Sequence, residues 1–168
     1  MANHGENLLE WLCDAHAMAR QAEHALRAQA ERIVHYPKLK TRIEQHLRET
    51  IEQQRLLKGC ITRLEGTSSR LKDAVGQVIA FGQGAWGALR PDEVIKGAIS
   101  SYAFENLQIA TYTSLIAAAK TVGDTATVHV CERILRAEQA MATWTLQHLA
   151  ELTEGFLLRD AAGLEAKG

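Results

Sequence analysis

Apolar residues recur at steps of three and four along four long stretches of the chain, and each stretch predicts one amphipathic helix. In the first, about residues 6–34, the stripe is Leu8, Leu12, Ala15, Ala19, Ala22, Leu26, Ala30 and Ile33. His35-Tyr36-Pro37 stops it, because a residue before proline avoids the α region. Pro37 then starts the second helix, about residues 38–64, with Leu39, Ile43, Leu47, Thr50, Gln54, Leu57, Ile61 and Leu64 on its face. So short a connection makes the two helices antiparallel neighbours.

Gly66-Thr67-Ser68-Ser69 ends that pair, and a glycine-rich stretch with Gly76, Gly82, Gly84 and Gly87 follows, up to Pro91. One short helix is expected in it, at about residues 71–80. No Gly-Lys-Ser/Thr follows the glycines and no strand precedes them, so the stretch reads as a packed crossover, about residues 66–91, and not as a phosphate loop. The third helix begins after Pro91-Asp92-Glu93 and runs to about Thr121. Gly123 is a stop, Asp124 an N-cap, and the fourth helix extends to about residue 152. A separate amphipathic piece at residues 156–158 should pack on one end, with loose residues after it. Two helical hairpins joined by one long connection predict an all-α, ferritin-like four-helix bundle: one domain over residues 1–168 with its core at about 6–152.

Composition supports helix and narrows the partners. Only two prolines are present, 46% of residues are hydrophobic and 23% charged, as in an ordinary folded chain. A formal net charge of -1 provides no global field to recruit nucleic acid or an anionic membrane. No apolar run approaches the roughly 20 residues that cross a bilayer. Met1 to Gly5 lacks the basic start and apolar run of a signal peptide. Cys13, Cys60 and Cys131 lie far apart among apolar residues and read as free, buried thiols in a reducing compartment. The expected location is the cytoplasm.

The chemistry resides in ionisable residues on core-facing stripes. Glu105 is the one charged side chain between Lys96 and Lys120, and it falls on the stripe of Ala98, Tyr102, Ile109 and Ile116. Glu138 interrupts the stripe of Cys131, Ile134, Met141, Thr145 and Leu149. His16 and Glu23 share the first helix's stripe with Leu12, Ala19 and Leu26. On the second helix His46 lies near the stripe, with Glu49 at its flank and Gln53 one turn further. At the rise of about 1.5 Å per residue, Glu23 and Glu49 are equally far from the Tyr36-Pro37 turn and should face each other, Glu105 and Glu138 are at similar distances from Gly123, and both carboxylate pairs reach mid-bundle. An unpaired carboxylate is costly there and needs a cation, a metal or its own proton. The candidate metal ligands are therefore Glu49, Glu105, Glu138, His46 and Glu23, an oxygen-rich set suited to iron or manganese. The alternative is a buried polar layer, with the carboxylates held by His46, Tyr102, Tyr112 and arginines. His129 and His148, nearer helix ends, are expected to be solvated.

Five segments resemble the bacterial YciE/YciF family. They are Trp11-Leu-Cys-Asp-Ala-His-Ala-Met18, Tyr36-Pro-Lys-Leu, Arg42-Ile-Glu-Gln-His-Leu-Arg-Glu-Thr50, Asp92-Glu-Val-Ile-Lys-Gly97 and Tyr112-Thr-Ser-Leu-Ile-Ala-Ala-Ala-Lys-Thr-Val-Gly-Asp-Thr-Ala126. The YciE branch is the nearer. The resemblance implies a ferritin-like, rubrerythrin-related bundle, a homodimer linked to stress responses, with inward glutamates suited to a dinuclear metal site. It also exposes departures: YciE-like relatives carry glutamate where this chain has Ala19, Gln108 and Ala137. Losing three carboxylates removes about half the negative charge with which such a site binds two divalent ions.

Three functions follow as expectations. The first is a non-enzymatic, stress-associated bundle with a degenerate site that binds one divalent ion weakly or none. The second is a di-iron or di-manganese oxidoreductase, or an iron-binding relative, using the inward glutamates. The third is an interaction module holding another stress protein on an exposed helix face. No nucleophile motif such as Gly-x-Ser-x-Gly is present, so no catalytic residues are assigned.

Overall fold

In a computed structural model, residues 4–66 and 92–165 are described, and they form four α-helices: α1 His4–Arg32, α2 Pro37–Glu65, α3 Glu93–Thr121 and α4 Thr125–Ala161. The crossover and the short helix expected at residues 71–80 lie outside the described residues. The first three helices have the predicted extent to within a residue or two, the usual uncertainty of a fraying end.

The fourth does not stop near residue 152. It continues unbroken to Ala161 and absorbs the piece expected separately at 156–158. Phe156 supplies the reason. It is 9% exposed and packs in one cluster with Ile33, Tyr36, Leu39 and Leu152, so the added turns of α4 cover the α1–α2 turn. Lys38 reaches Glu151 across the same corner at 2.7 Å. Gly155 tolerates a helical backbone here, and the nearest atom to its absent Cβ is a Tyr36 ring carbon at 4.0 Å.

The two hairpins pack side by side, α1 beside α3 and α2 beside α4, leaving α1 and α4 diagonally opposed. Two apolar clusters mark the ends of the bundle. One joins Leu8 and Leu12 of α1 to Cys60 of α2, Ala119 of α3 and Val128 of α4. The other joins Ile33 and Tyr36 to Val94 of α3 and Phe156 of α4. Hence α2 ends where α3 ends and starts where α3 starts, and the two run parallel. Each of the two spans about 44 Å over its 29 residues.

The α3–α4 turn is closed by Gly123, whose φ of +76° is open to glycine and costly for a residue with a Cβ. Asp124 N–H returns to the Ala119 carbonyl at 2.9 Å, the bond that seals a Schellman ending. The Asp124 carboxylate then caps α4 by accepting from the Thr127 N–H at 3.1 Å. Arg63 at the end of α2 donates to Asp124 and to the Thr127 hydroxyl, both at 2.8 Å, and so ties the two hairpins together.

Candidate metal centre

Between the two apolar clusters the bundle interior turns polar. His46 and Glu138 are fully buried, Glu105 is 2% exposed, and Gln53, Gln108 and Tyr112 are buried with them. Helix periodicity places them there. His46 and Gln53 lie seven residues apart on α2, while Glu105, Gln108 and Tyr112 follow at steps of three and four on α3. Glu138 enters from α4 on the stripe of Ile134 and Met141.

His46, on α2, faces the carboxylates of the other hairpin. Its Nε2 is 3.3 Å from Glu105 Oε1 and 3.5 Å from Glu138 Oε2, without hydrogen-bond geometry to either, so these contacts are charge attractions. Its Nδ1 lies 2.9 Å from Glu49 Oε2 on the outer side. Gln53 donates its amide to Glu138 Oε1, and Gln108 donates to Glu138 Oε2 at 2.9 Å and to Glu105 Oε2 at 3.1 Å.

Protons balance these charges. Burial opposes a charged ring at His46, yet Glu105, Glu138 and Glu49 outweigh it and hold the imidazolium up to about 11. Burial, helped by the neighbouring Glu138, raises Glu105 to about 8. Burial also acts on Glu138, but hydrogen bonding from Glu105, the attraction of His46 and the Gln53 amide bring it below the usual carboxylate range. The pair thus shares one proton, with burial favouring the acid form of Glu105. Burial, then the two carboxylates and Cys131, push the Tyr112 phenol well above its ordinary value.

One ligand atom each from His46, Glu105 and Glu138 can be chosen so that all three lie within 4.8 Å of one another, a group that could hold a metal ion. The donor chemistry fits a divalent cation. Two carboxylates match its charge, an imidazole nitrogen joins them, and Gln53 Oε1 and Gln108 Oε1 are buried acceptors without a partner. That group holds three of the five candidate ligands. Glu49 stands behind His46, 30% exposed, bonded also to Gln45 at 2.9 Å and approached by Arg42 at 3.5 Å. Glu23 belongs to another set: it accepts from Gln54 and Arg27, both at 2.7 Å, and faces Gln54 of α2 in place of Glu49. Its stripe reaches solvent at that level, with a side-chain exposure of 23%.

Two residues of the site were not among the candidate ligands. Arg42 is buried against Glu49, and a step of four before His46 and seven before Glu49 was the available signal. Gln53 stood out only as a polar residue one turn past Glu49; its burial depends on Glu138 of the opposite hairpin. Of the three positions at which the resemblance leads one to expect glutamate, Gln108 lies inside the site, Ala19 is buried on α1, and Ala137 is half-buried. Cys60 and Cys131 are free and buried, and Cys13 is half-buried. His129 is exposed as expected, but His148 is half-buried, stacked on Trp144 at 4.1 Å between ring centres.

Comparison with known proteins gives the family. The family described as "Domain of unknown function (DUF892)" matches residues 3–158. A solved protein from Xanthomonas campestris pv. campestris is 38% identical, with 95% of this chain and 99% of that one covered and a TM-score of 0.78. The E. coli stress protein YciF is 18% identical over 89% of this chain and 96% of its own, with a TM-score of 0.74. YcfI from Rhodopseudomonas palustris is 22% identical over 86% and 93%, with a TM-score of 0.68. The last two likenesses are of fold, and they place the bundle among YciF-like structures. With its helices, its interior carboxylates and this match over most of its length, the chain belongs to the DUF892 family, and its fold is that of the YciF-like four-helix bundles.

Proposed function

We propose that this chain is a stress-associated ferritin-like protein whose dinuclear site has been reduced to one that takes a single divalent cation, with no oxidoreductase chemistry of its own. One observation carries the reading: Gln108 bridges Glu105 and Glu138 through a neutral amide. Two buried carboxylates offset the charge of one divalent ion. A second ion would leave two positive charges uncompensated in the interior, which costs several kcal/mol even after relaxation. Glu49 adds little to that balance, because Arg42 beside it carries the opposite charge. The link to stress comes from the description of the E. coli protein of the same fold. A homodimer is proposed from the family resemblance, with another stress protein as partner, and a cytoplasmic location from the free cysteines and the sequence pattern.

The second reading, a di-iron or di-manganese oxidoreductase, rests on the surviving His46–Glu105–Glu138 group. A bound redox metal would supply electron transfer to oxygen or peroxide, and the protein would contribute the ligands and the exclusion of water. The two readings separate on metal content, measured by elemental mass spectrometry after anaerobic titration with Fe(II) and Mn(II). One ion per chain, without oxidase or peroxidase activity, agrees with the first. Two ions per chain with turnover would establish the second, and no uptake of either metal would refute both.

A further inference from the structure

We propose that Glu49 is a positioning residue that fixes the His46 ring, leaving His46 Nε2, Glu105 and Glu138 as the inner ligands of a one-ion site selective for first-row transition metals over magnesium and calcium. The proposal rests on the single-cation reading above and deepens it. Glu49 Oε2 takes the His46 Nδ1 contact at 2.9 Å and faces Arg42 Nη1 at 3.5 Å, while Oε1 accepts from Gln45 Nε2 at 2.9 Å. Both oxygens are thus engaged on the outer side of the ring. To ligate an interior ion, Glu49 would have to abandon all three contacts.

The same contact orients the imidazole. A carboxylate on Nδ1–H fixes which nitrogen keeps its hydrogen and turns the other toward the interior, as supporting carboxylates do for metal-bound histidines. His46 Nε2 has no hydrogen-bond partner and is the ring atom that faces Glu105 and Glu138. Gln53 Oε1 and Gln108 Oε1, on side chains whose amides bond the same carboxylates, are also buried and unpartnered. An imidazole nitrogen among oxygens favours iron, cobalt, nickel or zinc, whereas magnesium and calcium prefer oxygen alone.

The experiment titrates the full chain with Co(II), following heat and visible absorption, with Mg(II) and Ca(II) as controls. It records the exchangeable, paramagnetically shifted imidazole N–H resonance of the Co(II) form. We expect one Co(II) per chain, no measurable Mg(II) or Ca(II) binding, and one sharp shifted N–H line. In Glu49→Gln the stoichiometry should stay at one, affinity should fall about 10- to 100-fold, and the N–H line should broaden by exchange. Glu49→Asp should recover part of both. Glu105→Gln should lose binding while keeping the metal-free fold, measured by circular dichroism. If the native chain binds one ion but Glu49→Gln changes neither affinity nor the N–H line, or removes binding entirely, the positioning role is wrong and the one-ion site stands. Equal uptake of Mg(II) would overturn the selectivity, and two ions or none in the native chain would remove the reading on which the proposal rests.

Discussion

At Glu105 two forces compete. Burial and the nearby Glu138 favour the protonated acid, while His46 favours the carboxylate, and the first pair prevails, leaving the group at about 8. A protonated acid has a close isostere in glutamine. Glu105→Gln should therefore leave the metal-free melting temperature unchanged, or raise it by a few degrees, at roughly 2–4 °C per kcal/mol for a chain of this size. A loss of about 10 °C in scanning calorimetry would contradict the protonated acid. Gln108→Glu acts in the opposite sense. It adds a third carboxylate and removes an amide that donates to both acids, so the metal-free protein should lose about 1–3 kcal/mol. Its affinity for a divalent ion should rise in the same titration, and unchanged affinity would show that charge does not limit the site.

The pH dependence follows from these groups with signs that can be worked out. Glu105 has a folded-state value raised from 4.5 to about 8, so its stabilising contribution is complete below the lower value and is lost as pH rises through the upper one. His46 is raised from 6.5 to about 11, and its contribution is likewise lost as pH rises. Glu138 is lowered, so its contribution is present above 4.5 and is lost as pH falls below it. The melting temperature of the chain in chelator should decline from pH 7 to 10, and decline less in Glu105→Gln. A flat profile for the native chain would mean that these protons are not held as described.

At the scale of the helix, α4 shows how packing overrides a boundary read from pattern. Gly155 and the exposed Leu157 and Leu158 weaken the periodic signal past residue 152, and an isolated chain would have reason to fray there. Phe156 finds Tyr36 and Leu39 beneath it, and burial of a ring that size stabilises by about 2–3 kcal/mol, enough to hold the last turns in helix. Phe156→Ala should cost about 3 kcal/mol, measured by urea unfolding. Amide exchange over residues 153–161 should rise more than in α3, and equal exchange in both would show that the last turns do not depend on this anchor.

Across the whole molecule, protons and a metal compete for the same interior atoms. A cation that takes His46 Nε2 and Glu105 has to displace the protons they hold, so apparent affinity should rise with pH between 6 and 8.5. Calorimetric titration in two buffers of different ionisation heat would give the protons released per ion. Release near zero would mean that the ion binds elsewhere. At 100 times its dissociation constant, a bound ion should stabilise the fold by about 2.7 kcal/mol.

The sequence by itself determined the four helices, the turns between them in each hairpin and the burial of Glu105 and Glu138, because apolar periodicity and Pro37, Gly123 and Asp124 act over a few residues. It placed Glu105, Glu138 and His46 among the candidates for the same reason. Tertiary structure decided which candidates meet. Glu49 and His46 are three residues apart on α2, yet a rotation of about 300° carries the ring inward and leaves the carboxylate at the edge. Glu23 is at a comparable depth but turns toward Gln54 and solvent. The relative rotation of four helices is set by how all their side chains pack at once, and no single stripe contains that information.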